Sequence, residues 1–395
     1  MPWKDEKPMD QKISLISNWL SKEYSLSHLA SAYGVSRKTI YKWILRYNNE
    51  GIEGLKDRSQ KPHWHPRTTN ECIVKQIIDK KIRYKRWGPK KIVAKLKEEQ
   101  PEIEWPAAST AGEWLKKNNL VKLRKKRQRV PPYGEPFIEC DGVNDVWSAD
   151  YKGDFRTGDH KKCYPITISD NYSRYLLACT GLLGPRYIET KRVFEETFKK
   201  NGLPRAIRID NGTPFAGKSK TGLSRLSIWW IKLGVIPERI EKGKPQQNGR
   251  HERMHRTLKE YAINPEGKDL RLQQKQFDEF IYEYNEERPH ESLGQKPPGS
   301  IYKRSKREYT DKPHKIEYDL GYDVRSVKHS GEIRFKGDMY LITGLLAGEK
   351  IGMKQYDYGK WKIYFSFQEI CELDLLSKKI KPLNKQKKVL PMYPV

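Results

Sequence analysis

Between Trp147 and about residue 260 the chain alternates between two periodicities, and this limits the folds open to it. Trp147–Phe155, Tyr164–Ser169, Tyr175–Leu182 and Ala206–Ile209 read as strands, three of them in succession before a first helix at about 189–201. A helix at 221–233, an apolar strand-like stretch at 235–240 and a helix opening near Gln247 follow, and 271–287 repeats apolar residues at helical spacing. Three sequential strands, a helix, a strand and further helices predict a mixed sheet covered by helices, an α/β layer architecture.

The flanks differ from this middle. Residues 10–50 read as three short helices, with Ser36 as the N-cap of the third and Ile40, Trp43 and Ile44 inside it. The outward positions of that helix carry Arg37, Lys38, Thr39 and Lys42. A short helix, a Gly34 turn and a Ser-capped helix with basic early residues is the pattern of a helix-turn-helix whose second helix enters the major groove; a plain three-helix bundle is the alternative. Residues 51–69, broken by Gly, Pro and His, read as a linker. A second helical unit over about 70–121 ends in a helix expected to be capped by Ser109-Thr110. Next comes a basic block whose Lys122, Arg124, Lys125, Lys126, Arg127 and Arg129 suit phosphate contacts. Beyond a polar stretch at 303–318, five short strands (Tyr322–Val327, Glu332–Phe335, Met339–Ile342, Lys350–Lys354, Trp361–Ser366) predict a small barrel or sandwich, followed by a basic tail.

Lys and Arg outnumber Asp and Glu 78 to 50 over 395 residues, a formal net charge of +28. A surplus spread along the whole chain implies a polyanionic partner, nucleic acid first. A membrane surface is disfavoured, since no long apolar segment is present. The N-terminus does not read as a signal peptide. Five scattered cysteines without a CxxC exclude a zinc ribbon and a disulfide framework and fit a reducing cytoplasm. His63, His65 and Cys72 lack the spacing of a zinc site.

Three acids stand where such an α/β domain would expose them. Asp150 lies in WSADYKGDF, expected mid-way along the first strand. Asp210 ends AIRID before an Asn211-Gly212 turn. Glu252 lies on the helix of KGKPQQNGRHERMHRTLK, among Arg250, Arg253, Arg256 and Lys259. Clustered acids raise one another's pKa unless cations neutralise them. Hard divalent cations take oxygen ligands and serve phosphoryl transfer, so the trio makes best sense with metal and a phosphodiester. HERMH also satisfies the HExxH pattern of zinc proteases through His251 and His255, but the helix is cation-rich and lacks an apolar surround. Asp170 is expected to pair with Ser173 or Arg174 in a turn.

WSADY, IDNGTPF (Asp210 to Phe215) and PQQNGRHERMHRTLK, with SDNYSRYLLA and YNEERPHESLGQKPP, resemble the motifs of DDE transposases of insertion sequences in the retroviral-integrase superfamily, whose core is ribonuclease-H-like. The resemblance covers about 143–302. It implies Asp150, Asp210 and Glu252 as catalytic, metal-binding residues, two Mg²⁺ with Mn²⁺ able to substitute, and Arg256 and Lys259 beside the scissile phosphate. One departure is that Glu252 lies further from Asp210 than is usual in the family. Gln246 falls at the usual spacing and cannot serve as an anionic ligand, so the loop 216–222 is expected to absorb the excess. Glu260 is a weaker competitor.

The implied multidomain architecture is a helix-turn-helix domain at 1–55, a linker at 56–69, a second such domain at 70–121 and a basic linker at 122–142. The ribonuclease-H-like catalytic core at 143–302, a linker at 303–320, an all-β barrel at 321–376 and a basic tail at 377–395 complete it. The implied function is cleavage of an element's terminal repeats and joining of the 3′-OH ends to target DNA, as a dimer or tetramer at the nucleoid of a bacterial cytoplasm. A transposase-derived regulator that no longer cuts, and a nuclease acting on hybrids or junctions, are the alternatives.

Overall fold

The computed structural model describes residues 8–58, 69–121, 138–217, 219–241, 245–263, 265–311 and 315–383. The chain divides into two compact units, 1–70 and 71–395.

In the first unit α1 (Pro8–Leu20), α2 (Leu26–Ala32) and α3 (Arg37–Glu50) enclose Leu15, Leu29, Ile40 and Trp43. Ser36 caps α3 as expected, accepting from the Thr39 N–H at 3.2 Å, and Ser25 caps α2 in the same way. Gly51–Leu55, read from sequence with the linker, forms a 3₁₀ turn. Its Leu55 is buried, and the buried Lys12 ammonium donates to the Leu55 carbonyl at 3.2 Å and pairs with Asp57 at 2.7 Å.

The second unit begins with α4 (Glu71–Arg83), α5 (Pro89–Glu99) and α6 (Ala108–Lys117), packed around the fully buried Trp87. Pro89 opens α5, where its missing N–H costs nothing. Ser109 and Thr110 do not cap α6. They lie inside its first turn, after an Ala107 N-cap that makes no side-chain bond.

The central sheet takes β1 (Val146–Tyr151), β2 (Phe155–Arg156), β3 (Lys162–Asp170), β4 (Leu176–Leu182), β5 (Ala206–Ile209) and β6 (Ile236–Arg239). β3 pairs antiparallel with β1, β2 and β4, whereas β1, β5 and β6 run parallel. The expected strand Trp147–Phe155 is two strands, because the chain turns at Gly153 with φ 89°. One face of the sheet is covered by α7 (Tyr187–Asn201) and α8 (Arg225–Lys232), around Trp147, Ile168, Phe194, Phe198 and Trp230. The other is covered by α9 (Gly249–Leu258) and α10 (Leu270–Tyr282), through Met254, Leu258, Phe277 and Phe280. Residues 245–248 form a 3₁₀ turn, so α9 starts two residues later than expected. Each of these two helices ends in a π turn, Lys259–Ile263 and Glu283–Glu287.

The second π turn receives the α4–α6 unit. Trp87 Nε1 donates to Glu283 and the Tyr84 hydroxyl to Glu287, both at 3.1 Å, and Lys91 donates to the Pro289 carbonyl. Residues after the core are strapped to it: the Leu203 N–H donates to the Arg307 carbonyl at 2.7 Å, and the Arg307 guanidinium donates to the carbonyls of Pro204 and Gly234.

The C-terminal region is antiparallel throughout. β7 (Asp323–Ser326), β10 (Lys350–Asp357), β11 (Lys360–Phe365), β12 (Gln368–Asp374) and β13 (Lys379–Lys381) form one sheet, and β8 (Glu332–Phe335) with β9 (Asp338–Leu341) forms a hairpin. All five expected strands are present. β12 and β13 were not foreseen. The hairpin and the sheet share one core, which includes Ile228 and Ile231 of α8, and Lys232 pairs with Glu349 at 2.5 Å. No helix among the described residues is long and apolar enough to cross a membrane.

Candidate active site

Strand alternation sets which way each β1 side chain faces. Trp147 and Ala149 enter the core beneath α7 and α8, so Ser148 and Asp150 face α9. Ser148 Oγ donates to Asn171 Oδ1 at 2.9 Å, and Asp150 Oδ2 lies 3.9 Å from His255 Nδ1. In the parallel register Ala149 pairs with Ile209. One step on, Asp150 and Asp210 leave neighbouring strands side by side. Asp150 thus lies near the end of β1 rather than mid-way. Asp210 Oδ1 accepts from the Gly212 N–H at 3.0 Å, and a Cβ on Gly212 would stand 2.8 Å from Asp210 Oδ2, so a side chain there would displace the carboxyl.

The two carboxyls are costly neighbours. Burial first, then the Asp210 charge and lastly that of Glu252, push Asp150 up to about 7, against the Tyr151 N–H and the Lys152 cation. Burial also raises Asp210. Glu252 is exposed in the first turn of α9. Among the described residues no three His, Cys, Asp or Glu side chains stand close enough together to enclose a metal ion. Two adjacent half-buried carboxylates with a third in electrostatic range are nevertheless the donor set that a hard dication prefers, and its charge would relieve their repulsion.

α9 splits by face. Arg250, Glu252, Arg253 and Arg256 are exposed, as is Lys259 at the start of the π turn, whereas His251, Met254, His255 and Leu258 are buried against the sheet. The Thr167 hydroxyl on β3 lies 2.7 Å from Nε2 of both His251 and His255 and 3.1 Å from the Asp150 carbonyl. A hydroxyl has one proton, and a carbonyl can only accept. Thr167 therefore donates to Asp150, and both imidazoles donate to Thr167 from Nε2. The Ser169 hydroxyl then donates to His251 Nδ1 at 3.1 Å. Burial holds His251 down to about 3 and His255 to about 2, so both rings are neutral. With both Nε2 atoms spent on Thr167 and Glu252 turned outward, the HExxH zinc arrangement is absent. Sequence reading missed Thr167 and Ser169; their signal was polar residues alternating with Ile166 and Ile168 in β3.

The remaining acids are structural. Asp170 Oδ2 accepts from the Ser173 N–H and hydroxyl at 2.7 and 2.6 Å, as expected, and its Oδ1 from the Asn144 N–H at 2.9 Å. Asp154 pairs with Lys162 at 3.2 Å, Asp145 closes a loop at Gly142, and Glu260 is exposed. On α3, Arg37, Lys38 and Lys42 are exposed, whereas the Thr39 hydroxyl lies 3.0 Å from that of the Ser36 cap. Lys122, Arg124, Lys125, Lys126, Arg127 and Arg129, with His63 and His65, fall outside the described residues.

Residues 233–298 match the integrase core domain family, 39–115 a homeodomain-like domain and 11–63 a helix-turn-helix domain. The first match contains Glu252 and its flanking cations; Asp150 and Asp210 precede it. An uncharacterised protein of insertion element IS476 from Xanthomonas euvesicatoria is 24% identical over 240 residues, 60% of this chain and 66% of that protein. One of insertion element IS407 from Burkholderia multivorans is 24% identical over 238 residues, 60% of this chain and 82% of that protein. Among solved structures, the HTLV-2 integrase catalytic core domain in complex with magnesium overlaps at a TM-score of 0.33 and 13% identity, over 42% of this chain and 100% of that one. That overlap is too loose to bear on the fold. The chain thus carries matches to an integrase core domain and to homeodomain-like and helix-turn-helix domains, and it is similar over 60% of its length to proteins of insertion elements.

Proposed function

We propose that the protein is a DNA transposase that binds the terminal inverted repeats of a mobile element, hydrolyses the ends and joins the freed 3′-OH ends to target DNA. The observation that supports this most is the Asp150–Asp210 pair at neighbouring strand ends, within the field of Glu252 on a helix studded with cations. A protein that only bound DNA would bear the cost of this acid pair without using it.

In this reading Asp150, Asp210 and Glu252 hold the metal. Mg²⁺, or Mn²⁺ in its place, bound as two ions, supplies activation of the attacking oxygen and stabilisation of the leaving one. Arg250, Arg253, Arg256 and Lys259 hold the phosphate backbone along α9. Thr167, His251 and His255 fix α9 against β3 and so set where Glu252 stands. Water attacks the terminal phosphodiester and the 3′ oxygen leaves as a hydroxyl; that hydroxyl then attacks a target phosphodiester in the same site, forming the new P–O bond as the target strand's own 3′ oxygen leaves and takes up the proton. Arg37, Lys38, Thr39 and Lys42 read or grip the repeats, and the basic block at 122–129 adds sequence-independent contacts. Two ends are cut and joined together, which calls for a dimer or tetramer on DNA at the nucleoid of the host cytoplasm.

The test is incubation with Mg²⁺ and a labelled duplex cut from the DNA flanking the gene. The proposal requires both nicks with 3′-OH ends and joined products. Nicks without joining would recast the protein as a nuclease, and binding without either would recast it as a regulator.

A further inference from the structure

Beside the acid site, on the same face of the sheet, a cleft of 410 Å³ is lined by Cys140, Asn171, Tyr172, Arg174, Arg250 and Leu293, among others. Two guanidiniums converge in it. Arg174, held at φ 66° in the β3–β4 turn, donates from Nη1 to the Asn171 carbonyl, and Arg250 of α9 donates from Nη1 to that same oxygen at 3.1 Å. One neutral carbonyl is poor compensation for two cations. Burial, then the Arg250 charge, lower Arg174 to about 10. The Asp170 carboxylate behind them is already occupied by Ser173 and Asn144.

A second, independent observation also points to a ligand. Asn171 is 3% exposed, its Oδ1 accepts from Ser148, and its Nδ2 finds no hydrogen-bond partner among the described residues. A buried amide donor without an acceptor forfeits its hydration with nothing in return. Two crowded cations, an unspent N–H donor and the exposed Tyr172 at the rim lack one thing in common, an anion with several acceptor oxygens.

We propose that the cleft of Asn171, Tyr172, Arg174 and Arg250 binds a phosphodiester of the DNA backbone, separate from the one that is cut. This rests on the transposase reading and adds a second phosphate site to it. Its distance from the chemistry follows from the register. Asp170 pairs with Trp147 and Thr167 with Asp150, three positions apart, or roughly 10 Å along the strands. That separation reaches a phosphate within a few nucleotides of the scissile one, beyond the reach of the acids themselves. The cleft thereby fixes the path of a strand along α9 as well as its charge.

The strand is either the element end or the target, and the test separates them. Binding of the full-length protein is measured against salt on two duplexes, one from the DNA flanking the gene and one of unrelated sequence. Arg250→Gln and Arg174→Gln are each expected to weaken binding several-fold and to lower the salt slope by about one, with Arg174→Lys recovering most of the loss. Single methylphosphonate substitutions are then scanned along each strand. Replacing one phosphate within a few nucleotides of the cut should weaken the wild type and add nothing to the loss in either Gln variant. Loss confined to the flanking duplex assigns the cleft to the element end; loss on the unrelated duplex assigns it to target DNA. Either supports the proposal. Unchanged affinity and slope in Arg250→Gln, and in Arg174→Gln with an unaltered melting temperature, would overturn it while leaving the transposase reading intact. A wild type that binds neither duplex overturns both.

Discussion

Nε2 of His255 stands 2.7 Å from the hydroxyl of Thr167, and the same hydroxyl lies 3.1 Å from the Asp150 carbonyl. One side chain of β3 thus links the helix that carries Glu252 to the strand that carries Asp150. Thr167→Val removes the acceptor for two buried imidazole N–H groups and should cost on the order of 2 kcal/mol or more. Thr167→Ser should recover most of it. Thermal melts of the three proteins check this, and the Val variant should lose cleavage beyond what its stability explains, because the seat of α9 moves.

This link was not legible in the sequence, whereas the acids were. W-S-A-D alternation predicts that Asp150 shares a face with Ser148, and AIRID followed by Asn211-Gly212 predicts an acid at a strand end. Thr167 and Ser169 read only as strand residues: their alternation with Ile166 and Ile168 marks a polar face, but the histidines it meets are 82 to 88 positions away. The same limit applies to the docking of α4–α6. Nothing near Trp87 in the sequence points to its partner, and only the fold brings it to Glu283, 196 residues on. The stop of β1 before Gly153 and the Ala108 start of α6 were local misreadings, where a glycine at positive φ and the residue chosen as cap decide the boundary.

Asp150 gives a pH signature in the absence of metal. The folded chain keeps its proton up to about pH 7, whereas the unfolded chain loses it near the ordinary aspartate value of 3.8. Between these the folded state binds more protons, so this group's contribution to stability falls as pH rises. Asp150→Asn should therefore match the wild type near pH 4 and exceed it at pH 8 in chelator, by on the order of 2 kcal/mol after discounting for partial exposure. Melts across that range check it. Added Mg²⁺ should stabilise the wild type and not the variant.

Lys91 gives the opposite sign at a different place. Burial, then Arg288, lower it from 10.5 to about 7 where it donates to Pro289. The unfolded chain holds the proton longer, so stability rises with pH between about 7 and 10. Lys91→Met should flatten that rise. Melting temperatures of the two proteins at pH 7 and pH 9.5 decide it.

Acidification tests the neutral imidazoles. His251 protonates near 6.5 when unfolded and near 3 in the fold. Its contribution is complete above 6.5 and is lost as pH falls towards 3. His251→Gln should be less stable at pH 7, with the gap to the wild type closing by pH 4, as measured by denaturant titration at the two pH values.

In the proposed function Glu252 completes a site with Asp150 and Asp210, and one comparison decides whether it does. Wild type and Glu252→Gln are incubated with Mg²⁺ and the labelled flanking duplex, and binding, nicking and joining are followed together. The exposed Gln substitution should leave folding and DNA binding unchanged and abolish both nicking and joining. A Glu252→Gln protein that still nicks and joins would contradict it and place the third acid elsewhere.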